Sequence, residues 1–160
     1  MNAVEVKPSF VVADLGCGSG YFTLPLAAKA KKVYGIDVQK EMIDFVREKI
    51  RKLKIKNVKL LLSKPEEIPL KDESINLLLT VNTLHEFDDK ERMIEEMKRV
   101  IKKDGRVLIV DFMKKETGFG PPVEIRVSKA KAVKLFEAKG FTLVKKKQLP
   151  YHYLLVFEKT

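Results

Sequence analysis

The segment Asp14-Leu15-Gly16-Cys17-Gly18-Ser19-Gly20 sets three glycines at alternate positions directly behind a short apolar run. Glycine at this density lets a chain turn sharply and brings backbone N–H groups close to a ligand. A helix that follows adds the positive end of its dipole. The spacing is G-x-G-x-G, whereas a dinucleotide site asks for G-x-G-x-x-G with the pyrophosphate on the helix N-terminus. Tyr21 stands where that third glycine belongs. Asp14, in the approach to the loop, would repel a pyrophosphate and suits a cationic or zwitterionic ligand. Asp37 closes the next apolar run, 17 positions beyond Gly20. A carboxylate at the end of a second strand can take both hydroxyls of a ribose.

Further candidates stand where later strands should end. Asn82, His85 and Glu86 follow the fourth apolar run, and Asp111 lies near the end of the fifth. His85 can act as a base with Glu86 or Asp111 orienting it; the alternative is that it packs under a loop or caps the next helix. Arg126 can meet an acidic acceptor, as Glu86 can contact a substrate, or it is a surface residue. Cys17 reads as a small structural residue of the loop, although a thiol at a helix N-terminus can have a lowered pKa. His85 and His152 are too far apart in sequence to suggest a zinc site, and no metal is expected.

These residues need a frame of βα units. Short apolar runs alternate with amphipathic stretches, the pattern of a parallel sheet. Strands are expected at Phe10–Asp14, Val33–Asp37, Val58–Leu62, Ile75–Thr80 and Arg106–Phe112. Helices are expected at Tyr21–Ala30, Gln39–Lys54 and Glu91–Lys102, with Asp104-Gly105 turning into the fifth strand. Residues 113–127 read as a long loop over the substrate. Ser128 caps a last helix that ends at Gly140, and Phe141–Lys147 with Tyr153–Lys159 form a hairpin. The fold class is therefore α/β: a doubly wound, mostly parallel seven-stranded sheet with helices on both faces and a C-terminal antiparallel hairpin, in one domain spanning 1–160.

Composition narrows the partners. No apolar run reaches the ~18 residues of a membrane span, the start lacks a secretory signal, and the single cysteine fits a reducing cytoplasm. Residues 1–97 carry 16 basic and 16 acidic side chains; residues 98–160 carry 16 and 6, so the net +10 resides there. Such a surplus favours anionic partners, nucleic acid among them. The basic residues are scattered, which favours a solvated lysine-rich surface instead. Abundant lysine and glutamate beside two glutamines resembles heat-adapted composition.

With the motifs together, the chain resembles the class I S-adenosylmethionine-dependent methyltransferases over nearly its whole length. V-V-A-D-L-G-C-G-S-G resembles their cofactor loop and V-Y-G-I-D-V their ribose-binding strand end. E-E-I-P-L, S-I-N-L-L-L and K-R-V-I-K-K-D-G-R-V-L-I-V-D-F resemble the later signatures. Among them it looks most like small-molecule enzymes of the quinone-biosynthesis and arsenite-methylating kind. The resemblance implies a Rossmann-like fold with S-adenosylmethionine held by Asp14, Gly16, Cys17, Gly18, Gly20, Asp37, Val38, Ser63 and Asn82. Gly16 and Gly18 would hold its methionine end, Asp37 its ribose, and Val38 its adenine.

The chain departs from that pattern in three places. Relatives commonly read Gly-Asp-Ala after the third strand. Here Ser63-Lys64-Pro65 offers neither a carboxylate nor the second N–H, leaving Ser63, Glu66 or shifted backbone for the adenine. Asn76 replaces a usual aspartate. Only nine residues precede the first strand, where relatives carry cap helices. The site is then open, or covered by a partner such as a second copy in a homodimer, or the chain is a shortened product. The leading expectation is methyl transfer to a small molecule by in-line displacement. The alternatives are an RNA or protein methyltransferase using the basic half, and a non-catalytic methyltransferase-like binding domain. An NAD-linked oxidoreductase is disfavoured by the glycine spacing.

Overall fold

The structure, a computed structural model, describes residues 4–160. Met1–Ala3, part of the stretch expected to hold no cap helix, lie outside the described residues. Twelve elements follow in order: β1 (Val11–Leu15), α1 (Thr23–Ala27), β2 (Lys32–Asp37), α2 (Lys40–Lys52), β3 (Val58–Leu62), β4 (Ile75–Val81), a 3-10 turn (Leu84–Glu86), α3 (Lys90–Val100), β5 (Ile101–Phe112), α4 (Lys129–Ala138), β6 (Phe141–Gln148) and β7 (His152–Lys159). The strands form one seven-stranded sheet in the order β3-β2-β1-β4-β5-β7-β6. β1 to β5 run parallel, and β7 is antiparallel to both β5 and β6. This is the expected fold class, with the reversal of strand order between β1 and β4, where ligands of such sheets bind.

Alternation along each strand divides the core. Val12, Val33, Leu77 and Leu79 pack on one face with Leu26, Ala27 and Ala30 of α1 and its exit turn. Ala13, Leu15, Leu78 and Ile109 pack on the other with Met93, Ile94 and Met97 of α3 and Phe136 of α4. No helix among the described residues is long and apolar enough to cross a membrane.

Most boundaries shift by a residue or two from the sequence expectation, and three differences have a visible cause. α1 is a short segment rather than Tyr21–Ala30. The Asn57 side-chain amide donates to the carbonyls of Ala27 (2.8 Å) and Ala30 (3.1 Å), fixing an early turn into β2. α3 stops at Val100 rather than Lys102, because Ile101 already pairs with Ile75 in the sheet. Asp104-Gly105 is a bulge within β5 rather than a turn before it: pairing jumps from Ile75↔Ile101 to Leu77↔Arg106, with Asp104 at φ +61°. Asn76 finds its role at this end of the sheet, where its Oδ1 accepts from the Val11 amide at 3.0 Å.

Between β3 and β4 the chain is irregular, and α3 pins it. Arg99 donates to the carbonyls of Leu70 and Ile68, both at 2.8 Å, while Glu96 accepts from the Ile68 amide at 3.0 Å. These bonds hold residues 63–70 where they can wall a site at the carboxyl ends of β2 and β3.

Candidate cofactor and methyl-transfer site

The glycine loop leaves β1 and turns back on β2. The amides of Gly16 and Cys17 donate to the Ile36 carbonyl (2.8 and 3.0 Å), Gly20 to Cys17 (2.9 Å), and Gly18 to Asp37 Oδ2 (2.9 Å). The expectation that these amides face the ligand is therefore corrected: they are consumed in closing the loop onto β2. What the loop offers instead is close approach. A Cβ on Gly16 would lie 2.5 Å from Thr83 Oγ1, whereas one on Gly18 would meet nothing within 4 Å. Gly20 lies outside the ligand cavities, seated against Val46 of α2.

Asp37 is held as a ribose ligand would need to be. Its Oδ1 accepts from the Gln39 amide at 2.9 Å and its Oδ2 from Gly18 at the same distance, which fixes the carboxylate plane. It opens on a cavity of about 450 Å³ lined also by Gly16, Gly18, Val38, Ser63, Asn82 and Glu86. Val38 is half exposed there, and Met42, Pro65 and Phe87 supply further apolar wall. The Ser63 amide donates to the Asp37 carbonyl (2.9 Å), so the residue faces the cavity from a fixed backbone. Asp37, Glu66, Glu86 and Asp88 line the cavity, and among the described residues no lysine, arginine or histidine does. Glu86, expected at the substrate, stands on this side instead.

A second cavity, of about 500 Å³, shares Gly16, Gly18, Val81 and Asn82 with the first. Asn82 adopts φ +54° between the two, its amide donating to Val110 at 2.8 Å. Asp14 and Cys17 line this second space. Burial pushes the Asp14 carboxyl up to about 6; the Thr23 hydroxyl, donating at 2.6 Å, opposes the rise, and the Asp37 charge adds to it. Burial likewise pushes the Cys17 thiol up to about 12, with Asp14 and Asp37 contributing, so the thiol stays protonated. The thiol's lowered pKa, raised as a possibility by its position, is not found.

Two sequence expectations are corrected by placement. His85 Nδ1 lies 2.8 Å from Asp111 Oδ1, and its backbone amide donates to Asp111 Oδ2 at 3.1 Å. Phe112 adds a third donor to that carboxylate at 2.7 Å. This buried pair clamps the Leu84–Glu86 turn, and His85 borders a separate groove beside α3 and α4 rather than either ligand cavity. Its reading as a base at the reacting methyl, with Asp111 behind it, falls on that geometry. Arg126 is 4% exposed and donates to the carbonyls of Pro121, Met113, Lys115 and Phe119 at 2.7–3.2 Å. It staples residues 113–126 and is not directed at an acceptor.

The residue that sequence reasoning missed is His152. β7 is antiparallel to β5, so its first residue pairs with Phe112 at the carboxyl edge of the sheet. His152 thereby lines the second cavity opposite the glycine loop, its ring centroid 4.2 Å from that of Phe112. Burial holds its pKa below the usual histidine value; the Asp111 charge opposes this and the Arg126 charge assists it. The available signal was the hairpin register, which returns the start of a last strand to the ligand edge.

Fold and site together define a Rossmann-like α/β domain with an acidic cavity, free of cations among the described residues, at the carboxyl ends of its parallel strands. A family model described as a methyltransferase domain matches residues 7–153. A S-adenosylmethionine-dependent methyltransferase of Aquifex aeolicus superposes with a TM-score of 0.91 at 32% identity, covering 98% of this chain and 85% of that one. An uncharacterized methyltransferase of Bacillus subtilis, YcgJ, is 28% identical over 69% of this chain and 44% of its own length. A demethylmenaquinone methyltransferase of Bacillus mycoides is 29% identical over 69% and 48%. The chain belongs to the class I S-adenosylmethionine-dependent methyltransferase family. It spans about half the length of the curated relatives it matches.

Proposed function

We propose that the chain binds S-adenosylmethionine across its glycine loop and transfers the methyl group to a small molecule held in the adjoining cavity. The observation that carries this reading is the charge of the cofactor cavity, four carboxylate side chains and no cation among the described residues, in a chain of net charge +10. A cationic sulfonium suits that lining; the pyrophosphate of a dinucleotide or the backbone of a nucleic acid does not.

The bound cofactor supplies an activated methyl on sulfur, and the protein supplies position. Asp37 receives the ribose hydroxyls on a carboxylate already oriented by Gly18 and Gln39. Val38, Met42, Pro65 and Phe87 would hold the adenine between apolar surfaces, with Ser63 and Glu66 as polar groups of the same lining. Asp14, which lines the second cavity and not the first, would face the methionine end where the cofactor crosses the loop into that space, and the acceptor would take the remainder. Gly18, without a side chain and shared by both cavities, would leave room for the sulfur against backbone. Holding donor and acceptor in line can provide most of the rate for such a displacement. The size of the second cavity supports a small acceptor, as does a relative named for a quinone substrate.

Calorimetry with S-adenosylmethionine tests the reading. Saturable heat at micromolar to millimolar ligand is expected, and none at millimolar ligand would sink it.

A further inference from the structure

We propose that His152 accepts the proton of the methyl acceptor, and that the acceptor is a flat aromatic molecule bearing a hydroxyl. The inference rests on the reading of the glycine loop as a methyl-transfer site and names what the second cavity would take.

The second cavity supplies few groups that could remove a proton. The Cys17 thiol keeps its own proton. Asp14 Oδ2 accepts from the Thr23 hydroxyl at 2.6 Å beneath the loop, on the side where the cofactor's amino group would sit. His152 remains, on the wall facing the loop. Its Nε2 is enclosed and has no hydrogen-bond partner among the described residues, so Nδ1 is the ring nitrogen left to meet an acceptor. The charged groups around the imidazole are Asp111 of β5 and Arg126 of the following segment, which act in opposite directions. Burial keeps it neutral near pH 7, the state a base requires.

The surroundings select a ring. Phe112 backs His152 with ring centroids 4.2 Å apart and, with Phe119 and Tyr151 packed behind it, lies outside the cavity lining. Tyr21 and Phe22, 5.0 Å apart, border the same cavity from the α1 side. Tyr21 is exposed, so its ring is not spent on the core. Offset and edge-on packing against such rings favours a planar aromatic guest. In the transfer, the acceptor oxygen forms its bond to the methyl carbon as the carbon–sulfur bond breaks. Sulfur keeps the electron pair, and the hydroxyl proton passes to a ring nitrogen of His152 and then to water.

The test follows O-methylation of catechol and of 4-nitrocatechol, a far more acidic phenol, by the wild type, His152→Gln and His152→Phe. Calorimetry with S-adenosylmethionine accompanies each protein. Both variants are expected to bind the cofactor within about twofold of wild type. Both should lose about 100-fold in kcat on catechol at neutral pH, and less than ~10-fold on 4-nitrocatechol at mildly alkaline pH, where no base is needed. The wild-type kcat on catechol should rise as the imidazole deprotonates, and that limb should vanish in the variants. Equal losses on both phenols, no loss, weakened cofactor binding in the variants, or a wild type that binds the cofactor yet methylates neither phenol would each overturn the proposal. Failure of the wild type to bind the cofactor would instead remove the reading on which it stands.

Discussion

Replacing Asp37 by asparagine keeps the side chain's shape and removes its charge. Oδ2 accepts from Gly18 and Oδ1 from Gln39, each at 2.9 Å. An amide has one acceptor and one donor end, so whichever way it turns, an NH₂ group meets a backbone N–H. One hydrogen bond to a charged group is lost and two donors face each other, a cost of ~1.5–3 kcal/mol for a group so thoroughly buried. At ~2–4 °C per kcal/mol for a domain of this size, the melting temperature should fall by roughly 3–12 °C. The same loss at one ribose hydroxyl weakens S-adenosylmethionine by about 10- to 100-fold. Asp37→Ala, which removes both acceptors, should weaken it at least ~10-fold as well. Thermal denaturation and calorimetry separate the two effects. A lowered melting temperature with affinity within about threefold of wild type would show that Asp37 only ties the loop to β2 and that the ribose is held elsewhere.

Asp14 gives a pH signature. Its native pKa, about 6 against an ordinary 3.8, means the folded state binds the proton more tightly than the unfolded chain. Its favourable contribution is full below pH 3.8 and is lost as pH rises through about 6, a change on the order of 3 kcal/mol. Asp14→Asn should remove that slope from urea-unfolding free energies measured across the interval. Gly16→Ala, at φ +74° and against Thr83, should cost about 2–4 kcal/mol of stability, whereas Gly18→Ala, whose Cβ meets nothing, should cost about 1 kcal/mol. Gly18→Ala should nonetheless lower cofactor affinity, which calorimetry reads. Arg126→Lys, retaining the charge but not the fork of donors, should cost about 2–4 kcal/mol and open residues 113–126 to limited proteolysis while leaving cofactor affinity unchanged.

The sequence carried the order of strands and helices, because hydrophobic period and capping are local: Ser128 caps α4 through the Lys131 amide, as its place before a helical run suggested. Asp14 and Asp37 were legible as residues of one place, because each closes a strand beside the glycine loop; their bonds to Thr23, Gly18 and Gln39 were not. What stayed hidden depends on groups that no letter encodes. The partners of Arg126 are backbone carbonyls, and those of Gly16 and Cys17 are one carbonyl on β2. A cation in a loop reads the same whether it faces a substrate or its own main chain. His85 and His152 were distinguishable only by register. Asp111 and Phe112 are neighbours on β5 that face opposite sides of the sheet, and each histidine follows its own partner.

Under the proposed function, Asp37, Glu66, Glu86 and Asp88 around the first cavity would also govern how the cycle ends. The donor arrives with a positive sulfur, and the demethylated product leaves with a neutral one. Attraction to the carboxylates is thus present while the methyl is still to be given and absent once it has gone. Under the proposed reading, the wall discriminates a charged from a spent cofactor without any contact to the methyl itself. It eases product release, and it raises the proportion of spent cofactor the enzyme can tolerate before product inhibition slows it.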